Sequence, residues 1–416
     1  MHYMNLNKKR LIVTSGTTHT IEFVALLKHL EEKNQLDSQT NQTSQDNTVY
    51  TDYLVFAEFC LPNNPQKLAE FEQLTANIAQ YIWKWESITS LNDNSFWTAE
   101  STQEQRETFV KEKIKVAVFD EVFIVNNIVP TNDLLLRTYK TAKKISIGDL
   151  GLYHNQIEID FVPIDAVYLS LPVEYERIPK KTPFGVIPKK KLIEVFEECK
   201  EYFLSQIKNI PFDTAKNNIL LQTSNHTEST LIPSLEEEIA YYEMGITPYI
   251  QPYIALNTVV YIKPHPRQSF GQSDKIANIL TTKYKIQVYV FEDKNIATLP
   301  VELLCLVFKF NKIVTLLSYS AIFLKYLYNI DAIVGDNPKL WLFFGQKTAY
   351  AQGYCRFISI MHNRLAAWDE QSILFLYHEV GEFFPRPKIS LKRKIIKLFP
   401  HSLKKALKKI IQRKKK

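Results

Sequence analysis

A chain of 416 residues with 45% hydrophobic and 12% aromatic content is long enough for two packed cores and too apolar to be a disordered protein. Its net charge of +7 is unevenly placed: thirteen lysines and arginines and no acidic residue fall within Lys388–Lys416, which leaves −6 for everything before them. That sign argues against a nucleic-acid-binding body, and no apolar run reaches the roughly 18 residues of a transmembrane helix. The polar, basic stretch Met1–Arg10 and the short Leu11–Val13 run lack the core of a signal peptide, so a cytoplasmic location is expected. Cys60, Cys199, Cys305 and Cys355 have no CxxC spacing and read as buried free thiols.

In chain order, Leu11–Gly16 reads as an opening strand and turn, and Thr17, Thr18 and Thr20 lead into a helical apolar period through Leu30. This is the usual start of a doubly wound domain, without the full GxGxxG of a dinucleotide site. The polar stretch Asn34–Val49 reads as an exposed loop. Tyr53–Ala57 is a second strand, and Asn63–Glu86 is mainly helical. Lys115–Phe119 and Glu121–Val125 are strand material, and Asn132–Lys143 has a helical period. Lys144–Ile147 then runs into Gly148-Asp149-Leu150-Gly151. A carboxylate between glycines at a strand end suits a general base, and it equally suits an ordinary aspartate turn. Prolines 172, 179, 183 and 188 within Asp165–Lys191 suggest a connector.

A second α/β pattern follows the helical Leu192–Ile207, starting with the strand Asn218–Gln222 and a polar turn, Thr223–Thr230. Ser234 reads as a helix N-cap with Glu237 at the capping-box position. Val259–Lys263 is a buried strand stopped by Pro264 and Pro266, with His265 held extended between Lys263 and Arg267. In open α/β sheets that edge binds ligands, so His265 is placed to meet a phosphate; the alternative is a solvated histidine in a turn. Ile286–Phe291 is a strand, Pro300 opens a helix, and Lys312–Leu317 ends in Ser318-Tyr319-Ser320 before a helix over Ile322–Tyr328. Two hydroxyls at that junction make either a phosphate seat or simple N-caps. Ala332–Val334 is the last strand. Near the C-terminus, Leu403, Leu407, Ile410 and Ile411 share one helical face against Lys404, Lys405, Lys408 and Lys409. That pattern suits a helix lying on anionic lipid, with nucleic-acid contact or a plain solvated tail as alternatives.

Five stretches, in this order, resemble the bacterial α-2,8-polysialyltransferase-type family of CMP-sialic acid-dependent glycosyltransferases. They are Gly148-Asp149-Leu150-Gly151-Leu152-Tyr153, Ser234-Leu235-Glu236-Glu237-Glu238-Ile239, Lys263-Pro264-His265-Pro266-Arg267, Leu299-Pro300-Val301-Glu302-Leu303 and Ser318-Tyr319-Ser320. The resemblance implies a GT-B fold of class α/β, with two Rossmann-like doubly wound domains facing a central cleft. The corresponding division is an acceptor domain over 1–178, a linker and connecting helix over 179–217, a CMP-sugar domain over 218–387 and a basic amphipathic tail over 388–416. It implies inverting, metal-independent transfer with no cofactor, moving sialic acid or a related nonulosonic acid to a capsule or lipooligosaccharide type of acceptor on the inner face of the cell membrane. By motif match Asp149 is the base and His265 the histidine at the CMP phosphate. Lys263, Pro266 and Arg267 flank that phosphate, Ser318 and Ser320 hold it, and Glu302 reaches the ribose. The family usually shows two acidic residues followed by glycine, or Gly-Asp-Gly, so Gly-Asp-Leu-Gly is a departure, and Asp120 or Glu121 is the fallback base. The alternatives are a GT-B enzyme of another nucleotide sugar, or a non-catalytic, membrane-tethered component of a polysaccharide-assembly complex.

Overall fold

The computed structural model describes residues 7–40, 48–57, 65–92, 101–125, 130–147, 162–174, 182–206, 211–224, 227, 232, 234–253, 257–265, 268, 271–291, 296, 298–315, 318–334, 360–361, 364 and 374–375. The first sheet contains β1 (Asn7–Thr14), β2 (Val49–Phe56), β3 (Ser87–Ser90), β4 (Glu121–Ile124), β5 (Lys143–Ser146), β6 (Ala166–Leu169) and β8 (Phe184–Val186). All are parallel, in the order β3-β2-β1-β4-β5-β6-β8, so the topological switch lies between β1 and β4. Leu11, Ile12 and Val13 of the central strand are all buried, as a parallel strand covered on both faces requires. The second sheet contains β9 (Asn217–Gln222), β10 (Thr258–Lys263), β11 (Gln287–Val290), β12 (Lys312–Thr315) and β13 (Ala332–Val334). It is also parallel, in the order β11-β10-β9-β12-β13, with its switch between β9 and β12. Two Rossmann-like sheets of class α/β are what the motif resemblance implies. The remaining strands, β7 (Val173–Glu174) and β14 (Leu374–Phe375), pair with each other, so the chain returns late to the neighbourhood of the first sheet.

The described helices are α1 (Thr17–Thr40), α2 (Pro65–Ile82), α3 (Gln103–Ile114), α4 (Pro130–Thr138), α5 (Lys189–Gln206), α6 (Leu235–Ile250), α7 (Gln272–Tyr284), α8 (Val301–Val307) and α9 (Ser320–Tyr328). Several differ from the sequence expectation. Helix α1 runs through Asn34–Thr40, where a loop was expected, because no Gly or Pro breaks a helix already nucleated on a buried apolar face. Lys115–Phe119 is a connection and not a strand: Lys115 adopts a left-handed conformation that ends α3. Helices α3 and α7 and strand β3 have no counterpart in the expectation, being short or too polar for a clear apolar period. β6 and β8 both fall in the proline-rich stretch and extend the first sheet. No described helix is long and apolar enough to cross a membrane.

Helix α5 joins the halves. It packs on α1 and α2 of the first and on α8 and α9 of the second, and one apolar cluster runs through both. Lys28 of α1 pairs with Glu198 of α5, and Lys191 of α5 pairs with Glu32 of α1. The opposite face of the first sheet is covered by α3 and α4 around Val110, Ile114 and Leu135. Inside the first domain Arg10, 1% exposed, meets Asp52 through two bonds of 2.6 and 2.8 Å, and Trp83 Nε1 donates to the same carboxylate at 2.8 Å.

Candidate functional site at the facing sheet edges

In both domains each described helix after a strand starts at the carboxyl end of the sheet, and one contact shows that the two ends meet. Lys67, in the first turn of α2, donates through Nζ to the Gln268 carbonyl at 3.1 Å. Gln268 belongs to the loop after β10, where its own N–H donates to the His265 carbonyl at 2.9 Å. One turn beyond Lys67, Phe71 packs over the β1–α1 turn, and a Cβ added at Gly16 would lie 3.5 Å from its ring. The start of α2 therefore spans from the Gly16 turn of one domain to the His265 loop of the other.

On the second sheet, Lys263, Gln222 and Thr315 end β10, β9 and β12 in register, so all three side chains point to one face. The starts of α8 and α9 cover that face. Lys263 is 2% and Glu302 3% exposed, so neither lines the open edge. Burial pushes the Lys263 ammonium down to about 8, offset in part by the attraction of Glu302 and Cys305. Burial pushes Glu302 up to about 7, against its own backbone N–H, Lys263 and a hydrogen bond from Ser320. Burial likewise raises the Cys305 thiol well above its ordinary value.

The two serines of the β12–α9 junction do different things. Ser318 Oγ accepts the Ser320 N–H at 3.3 Å, the N-capping alternative from the sequence. Ser320 Oγ accepts from Gln222 Nε2 at 3.3 Å. Gln222 Oε1 and Thr315 Oγ1 are buried and have no hydrogen-bond partner among the described residues.

His265 is half-buried, and its backbone is fixed by Thr223. The His265 N–H donates to Thr223 Oγ1 at 3.2 Å, and that hydroxyl donates to Gln268 Oε1 at 2.9 Å, with the Lys263 carbonyl at 3.3 Å. The following turn is braced from behind. Ser234 Oγ caps α6 by accepting the Glu237 N–H at 3.2 Å, as the sequence predicts. Buried Glu238 receives the Thr227 N–H at 2.6 Å and the Thr227 hydroxyl, and Tyr242 OH bridges Glu238 to the Ser224 carbonyl at 2.9 Å. Asp149, Pro266 and Arg267 lie outside the described residues, as does the tail 388–416.

On the first sheet the β1–α1 turn presents Ser15 and His19, with Ser15 Oγ 2.7 Å from His19 Nδ1. Thr14 Oγ1 pins the turn by donating to the Gly16 carbonyl at 2.9 Å. The fallback bases are misplaced: Glu121 starts β4 and Asp120 precedes it, accepting the Lys9 N–H at 2.8 Å, so both sit at the amino-terminal edge, away from the other domain. Sequence reading missed Thr223, Gln222, Gln268 and the Ser15–His19 pair. The signal for Thr223 and Gln222 was available, since the first residues after a central parallel strand line the switch point. Among the described residues no three His, Cys, Asp or Glu side chains converge as a metal site.

No family model matches the sequence, and no curated protein matches it. Solved structures similar to it include the UDP-GlcNAc 2-epimerase of Neisseria meningitidis bound to UDP-GlcNAc, at 11% identity and a TM-score of 0.43, covering 91% of this chain and 98% of that one. The UDP-GlcNAc 2-epimerase of Methanocaldococcus jannaschii is similar at 12% identity and a TM-score of 0.41, covering 86% and 100%. The N-terminal domain of Candida albicans trehalose-6-phosphate phosphatase is similar at 8% identity and a TM-score of 0.38, covering 93% and 98%. The activities named are those proteins' own.

Proposed function

We propose that this chain is an enzyme of nucleotide-activated sugars, holding the donor phosphate at the carboxyl edge of the second sheet and the reaction partner at the facing edge of the first. The observation that supports this best is the convergence of His265 with the Ser318–Ser320 junction on one sheet edge, at and beside the β9/β12 switch point, opposite a second such edge. A phosphate arriving there meets the Ser318 hydroxyl and the start of α9, whose dipole favours negative charge. His265, fixed by Thr223, donates to the departing phosphate, where charge grows as the glycosidic bond breaks. In the finer reading Asp149 takes the proton of the acceptor hydroxyl, and the donor is a CMP-nonulosonic acid. That donor identity and the Asp149 role rest on the motif resemblance alone. The broader reading admits any nucleotide-activated sugar. Likewise the tail over 388–416 is proposed to hold the enzyme on anionic lipid near a glycan or glycolipid acceptor, on the strength of its sequence pattern.

The test is release of free nucleotide from a panel of CMP- and UDP-activated sugars, with wild type, His265→Ala and Asp149→Ala. Release from one donor class that His265→Ala lowers at least about a hundredfold supports the site, since one placed acid or base is worth about 10²–10⁴. Release from CMP-nonulosonic acids alone supports the finer reading, and release from UDP-sugars replaces it. No release and no binding of any nucleotide overturns both.

A further inference from the structure

In the sequence, Lys263 and Arg267 are the cations nearest His265, and the fold withdraws Lys263 from the open edge, where it is only 2% exposed. A different ammonium reaches the same loop from the opposite domain. Lys67, in the first turn of α2, donates through Nζ to the Gln268 carbonyl at 3.1 Å. Gln268 closes a turn that starts at His265, because its N–H donates to the His265 carbonyl at 2.9 Å. A turn closed by such an i to i+3 bond keeps its end Cα atoms within about 7 Å. The Lys67 ammonium therefore stands one tight turn from the histidine placed to meet a phosphate. Both sides of this contact are held. Gln268 Oε1 accepts from Thr223 Oγ1 and from Ser273 Oγ, each at 2.9 Å, and Thr223 Oγ1 also accepts the His265 N–H. The residue that receives Lys67 and the residue that carries the imidazole thus share one anchor. On the other side Lys67 is half-buried, Leu68 beside it packs against the apolar core, and Phe71 lies over the Gly16 turn.

We propose that Lys67 is a binding residue for the phosphate of the activated sugar, supplied by the first domain to the seat that the second domain builds around His265. This rests on the reading of that edge as a nucleotide site. A neutral carbonyl is a weaker partner for an ammonium than a phosphate oxygen, whose hydrogen bond is charge-assisted. The ammonium has three donors on a flexible four-carbon stem, so it turns to a phosphate beside His265 with little movement of α2. The phosphate is then held from both domains at once, by Lys67 on one side and by His265 and Ser318 on the other. Donor affinity depends on the two edges lying together. A nucleoside, which has no phosphate, gains nothing from Lys67.

The experiment measures dissociation constants of CMP, UDP, cytidine and uridine by calorimetry for wild type, Lys67→Met and Lys67→Arg. Methionine keeps most of the stem and removes the charge, and arginine keeps the charge. Lys67→Met is expected to weaken the nucleotide that wild type binds about tenfold, the worth of one hydrogen bond to a charged group, and to leave the matching nucleoside within about twofold. Lys67→Arg is expected to recover most of that loss. Loss of nucleoside and nucleotide affinity by the same factor would mean that Lys67 only ties the domains together, and would overturn the proposal. So would a methionine variant that binds nucleotide like wild type, or an arginine variant no better than methionine. Where the nucleoside binds too weakly to measure, recovery by arginine decides. Each of these failures leaves the nucleotide reading standing, since wild type still binds. Wild type that binds neither nucleotide overturns that reading, and this proposal with it.

Discussion

Replacing Thr223 by valine keeps the shape of the side chain and removes the one hydroxyl that organises the His265 loop. Three groups depend on Thr223 Oγ1: the His265 N–H at 3.2 Å, Gln268 Oε1 at 2.9 Å and, more distantly, the Lys263 carbonyl at 3.3 Å. They would not suffer equally. Gln268 Oε1 keeps the Ser273 hydroxyl at 2.9 Å, and the Lys263 carbonyl keeps the Thr223 N–H at 3.1 Å. The His265 N–H loses its acceptor at a half-buried site, so its desolvation cost dominates, about 1–3 kcal/mol. If about 2 kcal/mol of this appears in binding, nucleotide affinity falls roughly thirtyfold. The assay pairs urea unfolding with calorimetric titration of nucleotide, and Thr223→Ser is the control because it keeps the hydroxyl and loses only the methyl. Valine is expected to be worse than serine in both measurements. Equal behaviour of the two variants would refute the claim that this hydroxyl holds His265 in place.

Asp52→Ala should destabilise the first domain by about 3 kcal/mol in chemical unfolding, because it leaves the 1%-exposed Arg10 with only the partly exposed Glu31 carboxylate at 3.1 Å and orphans the Trp83 N–H; Arg10→Met with Asp52→Leu should lose less. The buried Lys263 and Glu302 side chains predict an unusual pH profile of stability. Glu302 releases its proton near 4.5 unfolded and about 7 folded, so its contribution is full below 4.5 and falls as pH rises to about 7. Lys263, at 10.5 unfolded and about 8 folded, contributes fully above 10.5 and loses that contribution as pH falls to about 8. Wild type minus a Lys263→Met/Glu302→Leu variant should therefore show a minimum between these limbs, each about 3 kcal/mol deep; a flat difference curve would refute the burial of the two groups.

Much of the frame was legible because it is written in local physics. The β-branched run Val259–Lys263 and the prolines that stop it announce a buried strand and its end, and Ser234 announces the start of α6. The alternation of such strands with helices was enough to identify two α/β halves, and the motif resemblance implied that both are Rossmann-like. The reading failed where local signals mislead: polar Asn34–Thr40 is helical because it continues a packed helix, and α3 is too polar to show a period.

What the sequence by itself determined is therefore the central strands of both α/β halves, the Ser234 cap and the placement of His265, Ser318 and Ser320 at strand ends. Tertiary structure alone decided which charges those ends expose. Lys263 looked like a cation beside His265, yet strand register puts it on the covered face, where it is only 2% exposed. Glu302, on α8, is likewise only 3% exposed, and Asp120 and Glu121 fall at the wrong edge because strand direction, invisible in composition, places them there. Hydrogen bonds and desolvation act between neighbours in space, and only the packing of α8, α9 and the β10-β9-β12 row makes these residues neighbours.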